Sequence, residues 1–251
     1  MGSPEFLIAE WNRAVVALGQ HGRRIGSGFA LLTSFGIRLV TAFHVLLDCG
    51  WDAVSGPLID VGVGATITHD SWPLRARVLA HSPSPHMRTA LSAHEPHLDL
   101  ALLKLIGPLP DDDEGDDLNR PLPYLEASDD VRVGDNVVIL GYGMQSASQV
   151  QNTMRGSVAC IERVDERFGC RVIDIQGDML SGHSGGPVVS LRTRRVIGVC
   201  LCSQSEQLDI FVVEDNGTVP AQDHHGRPMR GRNSVGGLHV AMPIAELSSL
   251  R

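Results

Sequence analysis

A glycine-rich segment, GHSGGP at residues 182–187, surrounds one serine and carries the strongest chemical signal in the sequence. A serine hydroxyl becomes a nucleophile only when a base takes its proton, and its reaction needs donors aimed at the oxygen that becomes negative. Glycines let the backbone bend sharply, so the N–H groups of Gly182, His183 and Ser184 can face one hollow. The segment predicts Ser184 as a nucleophile, with Gly182 and Ser184 as the main oxyanion donors. The alternative is a plain glycine-rich turn.

Two further residues could supply a base and a carboxylate that orients it. His44 follows the apolar run VTAF at 40–43, which predicts an imidazole where a strand ends at a barrel rim. Asp99 lies in the apolar run LDLALLKL at 98–105, where a buried carboxylate is costly unless it is paired. A histidine N–H would be such a partner. Taken alone, His44 could be one of 11 structural or exposed histidines, and Asp99 a surface residue at a strand end.

The order His44, Asp99, Ser184 and the sequences around these residues resemble the trypsin/chymotrypsin superfamily, and especially its bacterial Deg-type members. The matching motifs are GSGF at 26–29, DLALLK at 99–104, GHSGGP at 182–187 and GLHVAMP at 237–243. The resemblance implies a catalytic triad of these three residues. It also implies polypeptide substrates, hydrolysis through an acyl-enzyme, and no metal or cofactor.

Several features depart from the family pattern. No PDZ-like module follows the protease region, and no IVGG segment could release a new amino terminus. His183 stands where trypsins carry an aspartate, and the paired cysteines of secreted trypsins are missing. We therefore expect no activation by cleavage of the trypsin kind, and a regulatory partner or a further fused domain stays open.

The resemblance also implies a specificity pocket (S1) for the side chain before the cut. Asp178, six residues before Ser184, occupies the position that forms the pocket floor in trypsins. A carboxylate there favours arginine, then lysine, because a guanidinium can bind it through two parallel hydrogen bonds. The implied pocket residues are Asp178, Cys200, Leu201, Cys202, Ser203, Gly237 and His239. Two alternatives stay open, namely a small apolar pocket as in Deg-type proteases and an acid-selective pocket that uses His239.

The elements that position these residues read as short strands. Runs rich in β-branched residues are separated by Gly, Pro, Asn, Asp and Ser, which favours antiparallel barrels over alternating strands and helices. We predict an all-β fold of two antiparallel β-barrels, at residues 7–109 and 118–251, with a short C-terminal helix from about Pro243. An acidic linker at 110–117 joins them. Residues 1–6 (MGSPEF) read as a cloning scar, and 214–237 as a long irregular stretch.

Composition excludes several classes of function. The formal net charge is −8 and no basic run is present, which argues against nucleic-acid binding. No apolar stretch approaches the roughly 20 residues that cross a bilayer. The five scattered cysteines predict reduced, buried thiols and a cytoplasmic location rather than a disulfide framework. With Lys104 as the only lysine, the excess of arginine favours a bacterial source.

Two rival functions follow from the same residues. An inactive, protease-like interaction module would have no need for all three of His44, Asp99 and Ser184. An esterase could use the same fold and the same triad. The α/β-hydrolase version of a serine esterase is excluded, because there the histidine comes last in the chain, and here it comes first.

Overall fold

The computed structural model describes most of the chain. The described residues are 4–20, 23–52, 54–56, 58–63, 66–67, 74–82, 97–108, 122–145, 148–177, 182–209, 211–214, 217–220 and 230–250. No helix within these ranges is long and apolar enough to span a membrane.

Six antiparallel strands, numbered here along the chain, form the first barrel. They are β1 (Val15–Gln20), β2 (Arg23–Thr33), β3 (Gly36–Ala42), β4 (Ile59–Gly62), β6 (Leu74–Ser82) and β7 (Leu100–Pro108). They pair in the order β1-β2-β3-β7-β6-β4, and the pairing of β4 with β1 closes the barrel. Leu18, Phe29, Leu39 and Leu103 are among its fully buried side chains. The aliphatic runs that predicted strands in this half of the chain therefore build its interior.

Six further strands form the second barrel. They are β8 (Asn136–Gln145), β9 (Ser148–Cys160), β12 (Ile173–Gly177), β13 (Pro187–Ser190), β14 (Val196–Asp209) and β17 (Arg230–Pro243). Their order is β12-β17-β14-β13-β8-β9, closed by pairing of β9 with β12. The short strand β5 (Thr66–Ile67) adds to the outer side of β9, so the first half of the chain contributes one strand to this sheet. The predicted all-β double barrel is confirmed.

The structure contains two helices that the sequence reasoning did not predict. Helix α1 (Pro4–Asn12) begins within residues set aside as a cloning scar, and helix α2 (Phe43–Asp48) follows β3 directly. Buried Phe43, Val45 and Leu46 hold α2 against the first barrel. The predicted C-terminal helix is present as a 3₁₀ helix at Ile244–Ser249.

Two hairpins lie outside the barrels' main ladders: β10 (Val164–Asp165) with β11 (Cys170–Arg171), and β15 (Phe211–Glu214) with β16 (Gly217–Pro220). The expectation of an irregular stretch at 214–237 is wrong for 217–220 and 230–237, which are strands. The pairing of β17 with β14 extends out to Arg230 and Asp209. Ladder hydrogen bonds thus override the weak strand propensity of this Gly- and Arg-rich segment.

The predicted acidic linker at 110–117 lies outside the described residues, so the domain boundary stays a prediction. Within the described part of the chain, Cys49, Cys160, Cys170 and Cys200 form no disulfide bridge. Cys170 contacts the Met242 sulfur at 3.7 Å. These cysteines agree with the prediction that the chain has no disulfide framework in this region.

Candidate active site

His44 and Asp99 form a close pair at the edge of the first barrel. The His44 Nδ1 lies 2.7 Å from Asp99 Oδ2, and the His44 backbone N–H donates to Asp99 Oδ1 at 2.8 Å. Because a carboxylate oxygen only accepts, Nδ1 carries the proton, and Nε2 of the neutral ring is left as an acceptor. Asp99 is 3% exposed. The His44 side chain keeps 24% of its surface exposed, so the aspartate is buried while the imidazole stays accessible to solvent.

The predicted position of His44 at the end of a strand needs one correction. Strand β3 ends at Ala42, and His44 is the second residue of helix α2. The change from strand to helix turns the backbone N–H groups of Phe43 and His44 toward Asp99, where the first donates to the Asp99 carbonyl at 2.9 Å. The short helix therefore orients both the ring and the backbone of His44.

Asp99 has a backbone conformation that residues other than glycine seldom adopt. Its φ is +51°, in the left-handed region, which costs on the order of 1 kcal/mol for an aspartate. It directly precedes β7, and the neighbouring Leu98 N–H donates to Ser82 Oγ at 3.0 Å. Hydrogen bonds on both sides thus hold the strained residue in place.

The segment around Ser184 depends on glycine, as the sequence predicts. Gly182 and Gly185 have φ values of +99° and +82°. A Cβ at Gly185 would collide with the carbonyl oxygen of Ser27 and the hydroxyl of Thr41. The loop of the second barrel that carries Ser184 therefore lies directly against β2 and β3 of the first barrel, just before His44.

Ser27 joins this loop to the first barrel through several hydrogen bonds. Its hydroxyl donates to the Gly182 carbonyl at 2.6 Å and accepts the Tyr142 N–H at 2.9 Å. Its own N–H donates to the Ser184 carbonyl at 2.9 Å. Sequence reasoning identified the GSGF motif around Ser27 but assigned the serine no task. In the sequence, only its position between two glycines marks Ser27. The structure shows in addition that it is fully buried.

The Ser184 hydroxyl donates to the Leu201 carbonyl at 2.9 Å. Among the described residues, no hydrogen bond joins Ser184 Oγ to the His44 ring, and the Ser184 backbone N–H has no partner. An N–H without a protein partner is compatible with the predicted role of Ser184 as an oxyanion donor, which stays a prediction.

A family model described as the trypsin-like peptidase domain matches residues 26–199, which include His44, Asp99 and Ser184. The chain belongs to the trypsin-like peptidase family. The fold is similar to that of the Rv3671c protease in the crystal structure of its inactive form. The TM-score is 0.58 and the sequence identity 17%, over 98% of this chain and 93% of that one. No curated protein matches the chain significantly in sequence.

His183 occupies the interior of the peptidase beside Ser184. It is fully buried, and its carbonyl accepts the Gly186 N–H at 2.8 Å. A Cβ at Gly141 would approach the His183 ring and its Cα to about 3 Å, so the glycine makes room for the imidazole. The residue that departs from the trypsin pattern is therefore a packed part of the loop. The assignment of Gly182, His183 and Ser184 to an oxyanion hole stays a prediction.

The predicted S1 residues are only partly within the described residues, and Asp178 lies outside them. Strands β14 and β17 run side by side, with Cys202 paired to Val240 and Ser203 to His239. Cys200 and Leu201 are buried, and Gly237 belongs to β17. The predicted wall residues thus share two neighbouring strands.

His239 lies beside the predicted pocket floor. Its Nε2 is 2.8 Å from the carbonyl of Gly177, the residue before Asp178. Because a carbonyl only accepts, Nε2 carries the proton, and Nδ1 of the neutral ring is an acceptor with no partner among the described residues.

The environment of His44 raises its pKa. Burial lowers the pKa of the imidazole, but the hydrogen bond to Asp99 and the charges of Asp99 and Asp48 outweigh it. The resulting pKa lies above the ordinary 6.5. The peptidase therefore has a histidine whose protonated form is stabilised by a fixed carboxylate, which raises its pKa.

Proposed function

We propose that this trypsin-like peptidase is a serine endopeptidase that works through an acyl-enzyme. The observation that carries the proposal is the 2.7 Å contact between His44 Nδ1 and Asp99 Oδ2, which leaves Nε2 as the base. Ser184 is the nucleophile, His44 the general base and acid, and Asp99 the group that orients His44. Gly182 and Ser184 donate to the oxyanion, with His183 between them.

The chemistry proceeds in two halves. After Ser184 leaves the Leu201 carbonyl, its Oγ attacks the peptide carbonyl carbon while His44 Nε2 takes the hydroxyl proton. The bond to the leaving amine then breaks, and His44 gives that proton to the amine nitrogen. Water repeats the sequence on the ester, which releases the acid and restores Ser184. Substrate and catalytic groups supply every proton and electron pair, so the scheme needs no metal or cofactor.

A fluorophosphonate probe is expected to label Ser184, at a rate that rises with pH. The imidazole must be neutral to accept the serine proton, so the rate should increase through the pKa of His44, which lies above 6.5. Mass spectrometry of the labelled peptide and labelling rates between about pH 5 and 9 would test this. A flat profile would contradict a histidine base.

The same probe separates the peptidase from an inactive interaction module. The bond from Ser184 Oγ to the Leu201 carbonyl is the observation that favours this second candidate, since it holds the hydroxyl away from His44. Absence of labelling across the pH range would support that candidate. Comparison of casein with a simple ester then distinguishes an endopeptidase from an esterase, which would leave casein intact.

We further propose that the pocket prefers arginine, then lysine, before the cut, with Asp178 at its floor. Support comes from His239, which lies against the backbone just before Asp178 and presents an acceptor nitrogen in its neutral form. A nitrogen that accepts cannot donate to a substrate carboxylate, so this tautomer argues against the acid-selective pocket that would use His239. The small apolar pocket of Deg-type proteases is the alternative.

Fluorogenic peptides that differ only at this residue are expected to show kcat/KM for arginine about 100-fold or more above that for leucine. Asp178→Ala should remove most of this preference, because the guanidinium loses its paired carboxylate. Asp129→Ala, at an exposed aspartate elsewhere in the barrel, is the matched control and should leave the preference unchanged. Equal cleavage of alanine, valine and arginine peptides would refute the pocket assignment and leave the triad standing.

A further inference from the structure

A hairpin of the second barrel contacts the segment that carries Asp99. The hairpin consists of β10 and β11, and the turn between them contains Phe168. The Phe168 carbonyl accepts the backbone N–H of His97 at 2.9 Å. Phe168 is 2% exposed and belongs to the same hydrophobic core cluster as Leu98. One hydrogen bond from the second barrel therefore reaches a residue two positions before the strained Asp99 of the first.

Asp165 determines the shape of the turn that presents this carbonyl. The Asp165 carbonyl accepts the N–H groups of Phe168 at 3.1 Å and Gly169 at 2.8 Å. Gly169 has a φ of +67°, which lets the chain return along β11. The Asp165 carboxylate accepts the Arg167 backbone N–H at 2.9 Å. Both the backbone and the side chain of Asp165 thus fix the position of Phe168.

Two arginines hold the Asp165 carboxylate. Arg167 donates to it from Nε at 3.0 Å and from Nη2 at 2.7 Å, and Arg163 donates from Nη1 at 2.9 Å. Arg163 also binds Asp174 of β12 through two hydrogen bonds of 2.6 Å, which ties the hairpin to the barrel wall. Burial raises the pKa of Asp165, but the bonds from both arginines lower it by more, so the carboxylate stays ionised.

We propose that Asp165 is a positioning residue for the triad: it fixes the Phe168 carbonyl that holds His97, and through His97 it holds Asp99 against His44. The proposal rests on the proposed function. The other bonds on this segment, from Leu98 to Ser82 and from α2 to Asp99, all lie within the first barrel. The contact at Phe168 joins the segment that carries Asp99 directly to the second barrel, which also carries Ser184.

Loss of the hydrogen bond between Phe168 and His97 is expected to change the pKa of His44. The charged groups that raise the pKa of His44 are Asp99, from the segment before β7, and Asp48, from the end of α2. When Asp99 shifts away, its hydrogen bond and charge weaken while the effect of burial remains. The pKa of His44 then falls, and the imidazolium formed during attack is less well stabilised.

The test compares Asp165→Asn with Asp135→Asn in the full chain. Asp135 is a matched control, because it is a buried aspartate in the same half of the chain that accepts two hydrogen bonds from an arginine, Arg192. Asp165→Asn is expected to lower kcat for a peptide substrate about 10- to 100-fold, the size expected for a small misplacement of a catalytic group. NMR titration of the ring proton of His44 should show its pKa lowered. Asp135→Asn should leave kcat and the His44 pKa close to wild type.

Each outcome decides the proposal. An unchanged His44 pKa in Asp165→Asn overturns it, as does an equal fall in Asp135→Asn, which would show a general effect of lost ion pairs. If Asp165→Asn does not fold, Arg167→Gln removes two of the bonds to Asp165 from a half-exposed side chain, and the same criteria apply. If wild type neither cuts peptides nor reacts with the probe, the proposed function fails. The His44 titration still decides the positioning role.

Discussion

Ser184→Ala is expected to lower kcat for peptide hydrolysis by on the order of 10⁴- to 10⁶-fold while the fold is retained. In the proposed mechanism the hydroxyl oxygen forms the acyl-enzyme, and alanine offers no nucleophile in its place. The stability cost should be about 1 kcal/mol or less, because the change removes one partly exposed hydroxyl and its bond to the Leu201 carbonyl. The glycine-shaped backbone around residue 184 does not depend on that hydroxyl.

Steady-state kinetics with the best peptide substrate and thermal unfolding of both proteins would check these two expectations. Ser248→Ala is the matched control, since it removes a serine hydroxyl that bonds only to Ala245 within the terminal 3₁₀ helix. That variant should keep wild-type kcat. Activity of Ser184→Ala within about tenfold of wild type would reject Ser184 as the nucleophile.

The sequence predicted those parts of the site that local chemistry defines. The sharp bend at Gly182 and Gly185 could be predicted because positive φ values and close backbone approach require residues without Cβ. The pairing of Asp99 could be predicted because a carboxylate in an aliphatic run needs a partner. The strands of both barrels could be predicted because their buried residues form short apolar runs in the sequence.

The parts that sequence reasoning missed depend on contacts between distant segments. Helix α2 has only six residues and no side-chain cap, so it leaves no periodic pattern. The role of Ser27 depends on Gly182, which is 155 residues away in the chain. The contact between His97 and Phe168 joins two backbone groups, and backbone groups carry no residue-type signal at all. The outer parts of β14 and β17, at 203–209 and 230–237, were missed because pairing between the two strands, rather than propensity, makes them extended.

The two barrels meet at the candidate site through contacts of two kinds. Ser27 of the first barrel holds the loop that carries Ser184, through bonds to Gly182 and Ser184. Phe168 of the second barrel holds the segment that leads to Asp99. Each barrel thus supports a proposed catalytic residue that the other one carries. One hydrophobic cluster also contains buried residues of both barrels, for example Phe29 and Leu140, so packing as well as hydrogen bonds holds the two barrels together at the site.

Asp99→Asn is expected to lower kcat by on the order of 10⁴-fold, with little change in the structure. The amide keeps the shape of the carboxylate, and its oxygen can still accept the His44 backbone N–H. Its NH₂ group, however, then faces His44 Nδ1 and donates to it. The ring proton moves to Nε2, where it blocks acceptance of the Ser184 proton. Loss of the negative charge also removes the main stabilisation of the imidazolium.

Asp48→Asn is the control that separates this tautomer effect from charge alone. Asp48 is an exposed residue on α2 whose charge raises the pKa of His44 without touching the ring. Its replacement should shift the pH dependence of kcat/KM slightly toward lower pH and change the maximal rate by less than about threefold, as befits a solvent-screened charge. If Asp48→Asn and Asp99→Asn lost similar amounts of activity, Asp99 would act on His44 only as a distant charge. A loss confined to Asp99→Asn, with the Nε2–H tautomer seen by ¹⁵N NMR, would establish that the 2.7 Å contact sets which nitrogen receives the serine proton.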